Sequence, residues 1–134
     1  MREFFVPGKP IGQGRISTIN NNSFHSNAKE LLPWRNSVAW CAKAAKIPLL
    51  DGPVQVSYLF ILPKPKTVKR DFPHVVPDLD HLIRAIGDSL KGIAFFDDSQ
   101  ICRFLEINKV YGERIGAQIA IGILDRDVRR CKVE

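Results

Sequence analysis

The chain has 134 residues, 45% of them hydrophobic, and its 20 lysines and arginines outnumber 14 acidic residues to give a formal net charge of +6. This length suits one domain with a core of its own, and no apolar run approaches the roughly 20 residues of a membrane span. The N-terminus lacks the apolar stretch of a secretory signal, and three cysteines without CxxC spacing disfavour structural zinc and a disulfide framework. We therefore expect a single cytoplasmic domain over residues 1–134.

The hydrophobic pattern predicts a mixed α+β fold with the element order β-β-α-β-α-β-β. Short strands are predicted at 3–6 and 14–19, on either side of a turn rich in glycine and proline. The polar segment 20–29, rich in asparagine and serine, is expected to be a mobile connecting loop. A helix is predicted at 31–47, with Pro33 near its first turn, where the missing N–H costs nothing.

The second half of the chain is predicted to contain a strand, a helix and a terminal β-hairpin. The strand alternates apolar residues over 53–62, and a basic loop broken by prolines leads from it to the helix. Two further strands at 101–111 and 115–124 are joined by a turn at 112–113. The charged tail 125–134 is expected to fray. Helices between strands imply a mixed sheet with two helices packed on it, although the pattern does not determine the strand order.

The second helix begins beside two aspartates. Its apolar residues recur at helical spacing, at Leu79, Leu82, Ile83, Ile86 and Leu90. Asp78 directly precedes this stripe and is the expected N-cap, and Asp80 lies in the first turn. Both carboxylates would complement the positive end of the helix dipole, which is an ordinary structural role for acids at this position.

The remaining acids also have structural explanations. Asp80, Arg84 and Asp88 stand at i, i+4 and i+8, a spacing that suits a surface salt-bridge ladder. The segment 97–99, Asp-Asp-Ser, is typical of a turn that leads into a strand. Taken one at a time, these explanations are each more economical than a catalytic role.

The charge distribution favours a functional site when the acids are taken together. Residues 71–98 hold six acidic and two basic side chains, whereas the rest of the chain holds 18 basic and 8 acidic ones. An acidic focus in a basic surround is expected of a nuclease, because basic residues hold the polyanion while carboxylates bind the cation that assists its hydrolysis. Carboxylates suit Mg²⁺, and the pattern lacks the glycine and glutamate that an EF-hand loop requires.

These residues resemble the central motif of the RusA-type Holliday junction resolvases, which are endodeoxyribonucleases. The resemblance rests on PDLDHLIRAIGDSLKGIAFFDDSQI at 77–101: a DxD opens a helix, a basic residue follows four positions later, and Gly and DD-x-Q-I come after. The segment VPGKPIGQGR and the strand EINKVY, which contains Lys109, also look like parts of the family pattern. The similarity covers roughly residues 3–124.

The resemblance implies a small homodimeric nuclease, frequent in phages and prophages, that uses Mg²⁺, with Mn²⁺ as a substitute. Such enzymes introduce paired nicks in four-way DNA junctions during recombination and repair. The family's catalytic, metal-binding aspartates correspond to Asp78, Asp80 and Asp98, with Asp97 as the second choice within its pair. Arg84 stands where the family has a functional lysine, so the positive charge is kept while proton donation is not expected.

Two further expectations concern the residues around the motif. His81 replaces a frequent asparagine of the family, and we expect it to face solvent rather than to serve the site. Phosphate contacts are expected from the basic loop before the acidic helix and from the strand after it, at Lys64, Lys66, Lys69, Arg70 and Lys109. One acidic cluster per chain also favours a two-fold dimer, because symmetric cleavage of a junction needs two sites.

Two other functions fit the same residues. A junction-binding protein that does not cut is favoured by the arginine at position 84, but binding alone would be better served without three aspartates. A general nuclease acting on flaps or forks would share the site and differ only in the DNA structures that it cuts.

Overall fold

A computed structural model of the protein describes residues 1–14, 16–19, 22–25 and 28–124. It confirms the α+β class, with a mixed four-stranded sheet, a separate two-stranded sheet and two helices. The elements in chain order are β1 (Arg2–Pro7), β2 (Ile16–Ile19), β3 (Asn22–His25), α1 (Ala28–Ala44), β4 (Val54–Leu62), α2 (Leu79–Leu90), a 3₁₀ turn (Asp98–Gln100), β5 (Ile101–Tyr111) and β6 (Gly116–Ile123).

The four-stranded sheet has the order β1-β6-β4-β5, in which β4 is parallel to β5 and antiparallel to β6. The predicted terminal hairpin is therefore wrong, because β4 lies between the two last strands. Crossing one strand requires about 10 Å, which the four residues 112–115 can span at about 3.3 Å each. Gly112 donates its N–H to the carbonyl of Leu62 at 3.1 Å, and a side chain there would approach Ile61 too closely.

The segment between the first strand and the first helix also differs from its prediction. Residues 22–25, expected to belong to a loop, form strand β3 and pair antiparallel with β2. Helix α1 starts at Ala28, so Pro33 lies inside it rather than near its first turn. The good helix formers before Pro33 extend the helix, at the loss of one backbone hydrogen bond. The tail 125–134 lies outside the described residues.

One face of β4 and the apolar stripes of both helices form the core. Residues of β4 alternate between buried and partly exposed, and Tyr58 and Phe60 are among the largest fully buried side chains. On α2 the predicted stripe is confirmed at Leu82, Ile86 and Leu90, each with 0% exposure. Burial of this stripe turns the opposite side of α2, which carries the acidic residues, toward solvent.

No helix in the described part of the chain is both long enough and apolar enough to cross a membrane.

Candidate active site along helix α2

Three potential metal ligands meet at the start of α2. The side chains of Asp78, Asp80 and His81 each offer a ligand atom, and these atoms all lie within 4.8 Å of one another. Asp78 occupies the N-cap position, as predicted, but its side chain makes no capping hydrogen bond. Its Oδ2 lies 3.8 Å from His81 Nδ1 instead. The Asp78 carboxylate is therefore not committed to the helix backbone.

His81 is better placed than the sequence suggested. We expected it to face solvent, and its side chain is 39% exposed, but its ring also lies in the cluster with both aspartates. The spacing carried a signal for this, because residues at i and i+3 lie on the same side of a helix and Asp78 precedes His81 by three positions.

The backbone around this cluster is held from two directions. Lys109 on β5 donates from Nζ to the carbonyls of Val75 at 2.7 Å and Pro77 at 2.8 Å, directly before Asp78. From the other side, the backbone N–H of Gln13 donates to the carbonyl of His81 at 3.0 Å. The sheet and the N-terminal segment thus fix where α2 begins and which way its first residues point.

Gly12 permits the close approach of the N-terminal segment. A Cβ at this position would lie 2.9 Å from the Cβ of His81, closer than such atoms normally come. The approach leaves a cleft of about 400 Å³ beside the cluster, and this cleft is lined by residues that include Lys9, Pro10, Glu30, Pro77, Asp78 and His81. An open cleft next to exposed carboxylates gives a polymeric substrate access to the ligands.

Asp97 and Asp98 occupy different environments although they are neighbours in sequence. Asp97 is the N-cap of the 3₁₀ turn, where its Oδ2 accepts from the N–H of Ser99 at 3.1 Å. Hydrogen bonding from the side chain of Ser99, and then from its backbone, lowers the pKa of the Asp97 carboxyl. Gln100 completes a capping box and also donates to the carbonyls of Leu50 at 3.0 Å and Gly52 at 2.9 Å. Asp97 and Gln100 of the DD-x-Q motif therefore anchor the turn.

Asp98 lies against the middle of α2. A methyl group built on Gly87 would be 3.6 Å from the Cβ of Asp98 and 3.7 Å from its Oδ2. Residues 80, 84 and 87 share one helix face, and seven residues of helix rise by roughly 10 Å. Asp98 therefore lies on the same face as Asp80, beyond Arg84, but it is not one of the three residues that cluster at the helix start.

Lys91 compensates a second group of acids, which consists of Asp88, Asp97 and Asp98 near the end of α2. Its Nζ lies 3.6 Å from Oδ1 of Asp88, 3.7 Å from Oδ1 of Asp97 and 3.7 Å from Oδ1 of Asp98. Asp98, followed by Asp88, raises the pKa of the ammonium group. The i, i+3 spacing from Asp88 was visible in the sequence, but the contacts with the DD pair depend on the fold.

Strand β4 carries a buried phenol that responds to the charge of Asp98. Tyr58 on β4 is 1% exposed, and its hydroxyl has no hydrogen-bond partner among the described residues. Burial, and then the negative charge of Asp98, raise the pKa of Tyr58. The phenol therefore stays protonated and keeps its hydrogen-bond donor.

Arg84 is exposed on α2, between the acids at the helix start and those near its end. No carboxylate lies within 4.0 Å of its guanidinium in the ranges that the structure describes, and Asp88 pairs with Lys91 instead. The alternative of an Asp80–Arg84–Asp88 ladder is therefore not realised. The guanidinium is left available for an incoming anion.

The predicted phosphate-binding residues fall into two sets. Lys64, Lys66 and Lys69 are exposed in the loop after β4, and the Nζ of Lys64 lies 5.8 Å from the ring centre of Tyr111. Arg70 donates from Nε to the hydroxyl of the same tyrosine at 2.8 Å. Lys109 differs, since its ammonium is already used by two backbone carbonyls.

Comparison with known proteins identifies the family of this chain. The family model described as endodeoxyribonuclease RusA matches residues 7–122, which is most of the chain. The protein belongs to the RusA endodeoxyribonuclease family. The chain is also 27% identical over 135 residues to the uncharacterized protein YqaN of Bacillus subtilis (strain 168), and the alignment covers 89% of this chain and 94% of that protein.

Family membership confirms the resemblance seen in the sequence. This RusA-family protein is an endodeoxyribonuclease of the Holliday junction resolvase type, and thus a hydrolase acting on DNA. RusA-type nucleases depend on a metal ion, and the residues at the start of α2 fit one. Two carboxylates and an imidazole, exposed beside a cleft and lacking a lysine or arginine partner in the described ranges, provide the oxygen-rich donors that Mg²⁺ or Mn²⁺ takes.

Proposed function

We propose that the protein resolves four-way Holliday junctions by paired symmetric nicks during DNA recombination and repair, as a homodimer that depends on Mg²⁺ or, as a substitute, Mn²⁺. The observation that carries this proposal is the meeting of Asp78, Asp80 and His81 ligand atoms within 4.8 Å, at the edge of an open cleft, in a RusA-family chain. A structural capping role would instead have committed the Asp78 side chain to the helix N–H groups.

Asp78 and Asp80 would hold the cation, and His81 would contribute a nitrogen or orient a coordinated water. Asp98 would complete the site from the neighbouring turn, whereas Asp97, engaged by Ser99, would support that turn. When bound, Mg²⁺ would act as a Lewis acid, which activates water and neutralises charge on the leaving oxygen.

Arg84 would stabilise the scissile phosphate. Its guanidinium is exposed, lies on the helix face between Asp80 and Asp98, and can grip two phosphate oxygens at once. Because an arginine stays protonated at all ordinary pH values, it would act by charge and hydrogen bonding and not by donating a proton.

The DNA arms would contact the basic loop after β4, through Lys64, Lys66, Lys69 and Arg70. Lys109 would act differently in this proposal, by holding the loop carbonyls in front of Asp78 rather than by reaching phosphate. Two copies related by a two-fold axis would present two such sites to a junction that has the same symmetry. A bacterial cytoplasmic location, with a phage or prophage origin, remains a prediction.

The experiment that tests the proposal compares DNA structures. Labelled four-way junction, replication fork and linear duplex are incubated with the full chain in Mg²⁺ and in EDTA, and the nicks are mapped on each strand. Symmetric nicks confined to the junction and lost in EDTA are expected, together with a dimeric mass in light scattering. Equal cutting of forks would indicate a general structure-selective nuclease, and binding without nicks would indicate a protein that holds junctions without cutting them.

A further inference from the structure

The side chain of Lys91 lies where three acidic groups converge. Its ammonium approaches Asp88, Asp97 and Asp98 within 3.6–3.7 Å, and these residues come from the last turns of α2 and from the 3₁₀ turn. We propose that Lys91 is a positioning residue that competes with a divalent cation for Asp98, so that its ammonium holds the Asp98 carboxylate while no ion is bound. This inference rests on the proposed metal-dependent function.

The position of Asp98 leaves it outside the cluster at the start of α2 and within reach of Lys91. Two oxygen ligands of one Mg²⁺ lie about 3 Å apart, because each is about 2.1 Å from the ion. Asp98 lies against Gly87, on the helix face that also carries Asp80, and it is not among the residues whose ligand atoms all lie within 4.8 Å of one another.

Lys91 is the cation that pairs with Asp98. It is the one cationic group within 4.0 Å of the Asp98 carboxylate in the described ranges of the chain. Asp97 is fixed separately by its bond from Ser99, so the 3₁₀ turn can keep its shape when Asp98 is released.

The ion pair between Lys91 and Asp98 is weak enough for a metal ion to compete with it. The side chains of Lys91 and Asp98 are each 42% exposed, and ion pairs this open to solvent contribute little to stability. A divalent ion brings twice the charge of an ammonium group, at shorter range. The ammonium would therefore weaken ion binding without preventing it, and would keep the carboxylates from repelling one another in the ion-free protein.

The test measures cation binding by the full chain in the absence of DNA. Isothermal titration calorimetry with Mn²⁺ would compare the wild type with Lys91→Met. Removal of the ammonium should lower the dissociation constant roughly threefold to tenfold, the range expected for loss of a few exposed charge pairs. Lys91→Arg should bind as the wild type does, because it keeps the positive charge.

Lys43→Met is the matched control. Lys43 is an exposed lysine in the last turn of α1, so its loss changes the net charge equally without touching the acidic group. An equal gain in affinity for Lys43→Met would overturn the inference, since it would reduce the effect to net charge. Unchanged or weaker binding by Lys91→Met, in protein that circular dichroism shows to be folded, would overturn it as well.

A second variant at the same position is available if Lys91→Met does not fold. Lys91→Gln keeps a polar side chain at the exposed C-cap of α2 and should show the same direction of change. Absence of binding in the wild type would reject the metal-dependent function and this inference together. Normal binding that does not respond to Lys91 would reject the inference alone and leave the nuclease assignment intact.

Discussion

The two ends of helix α2 use the same acidic residue type for different purposes. At the beginning, Asp78 and Asp80 lie beside His81 with no lysine or arginine within 4.0 Å in the described ranges, and the Asp78 side chain makes no capping bond. Near the end, Asp88 and the DD pair surround Lys91, and Asp97 accepts a backbone N–H. Asp78 and Asp80 are thus free for ligation, whereas Asp97 is engaged by the turn and Asp98 shares Lys91 with its neighbours.

The largest effect is expected at the start of the helix. Asp80→Asn should reduce nicking of a four-way junction by at least about 100-fold, because it would remove a charged ligand of the proposed cation site. Junction binding should be equal or tighter, since repulsion of phosphate is relieved. Single-turnover cleavage and a gel-shift assay in EDTA measure the two properties. Full cleavage by this variant would contradict the assignment of the site.

Substitution of Arg84, which lies between the two ends of α2, should have the next largest effect on cleavage. Arg84→Ala is expected to slow cleavage by about 10- to 100-fold while changing junction affinity much less, because in the proposed role the guanidinium acts mainly on charge that develops in the reaction. Arg84→Lys serves as the control and should recover much of the rate, since it restores the positive charge. A rate unaffected by the alanine substitution would restrict Arg84 to a role on the protein surface.

Lys109 provides a test of how the start of α2 is held in place. Lys109→Met removes the donor to the carbonyls of Val75 and Pro77, so both the melting temperature and the cleavage rate should fall. The salt dependence of junction binding should stay as in the wild type. If Lys109 contacts phosphate instead, the slope of log affinity against log salt would fall by about one, and this measurement distinguishes the two roles.

The smallest effect is expected from Asp97. Asp97→Ala should lower the urea midpoint modestly through loss of the turn's cap, while cleavage persists. Because the bond from Ser99 lowers the folded pKa of Asp97, its contribution to stability is present above the unfolded value of about 3.9 and is lost as pH falls through the folded value.

Urea denaturation at several pH values checks this dependence. The wild type and Asp97→Ala should differ at pH 6–7 and converge in acid below the folded pKa. A difference that stays constant down to low pH would show that the carboxylate charge is not what stabilises the turn. Loss of cleavage in Asp97→Ala would instead assign Asp97 to the metal ligands, together with Asp78 and Asp80.

Local periodicity predicted most of the secondary structure. The apolar stripe of α2 and the alternation of β4 depend on residues a few positions apart, and both elements were found where the sequence placed them. The strand at 22–25 was missed because a polar hairpin lacks the apolar alternation that marks a half-buried strand. The position of β4 between the last two strands could not be predicted, because pairing joins segments that are distant in sequence.

The sequence by itself determined the family, the acidic focus in a basic chain and the helix start at Asp78, since each depends on residue type and short spacing. Only the tertiary structure decided which acids are free. It brought His81 into the cluster, engaged Asp97 in a cap and placed Lys91 among three carboxylates. The physical reason is that the availability of a carboxylate depends on its neighbours in space, and those neighbours are set by the packing of the 3₁₀ turn on α2.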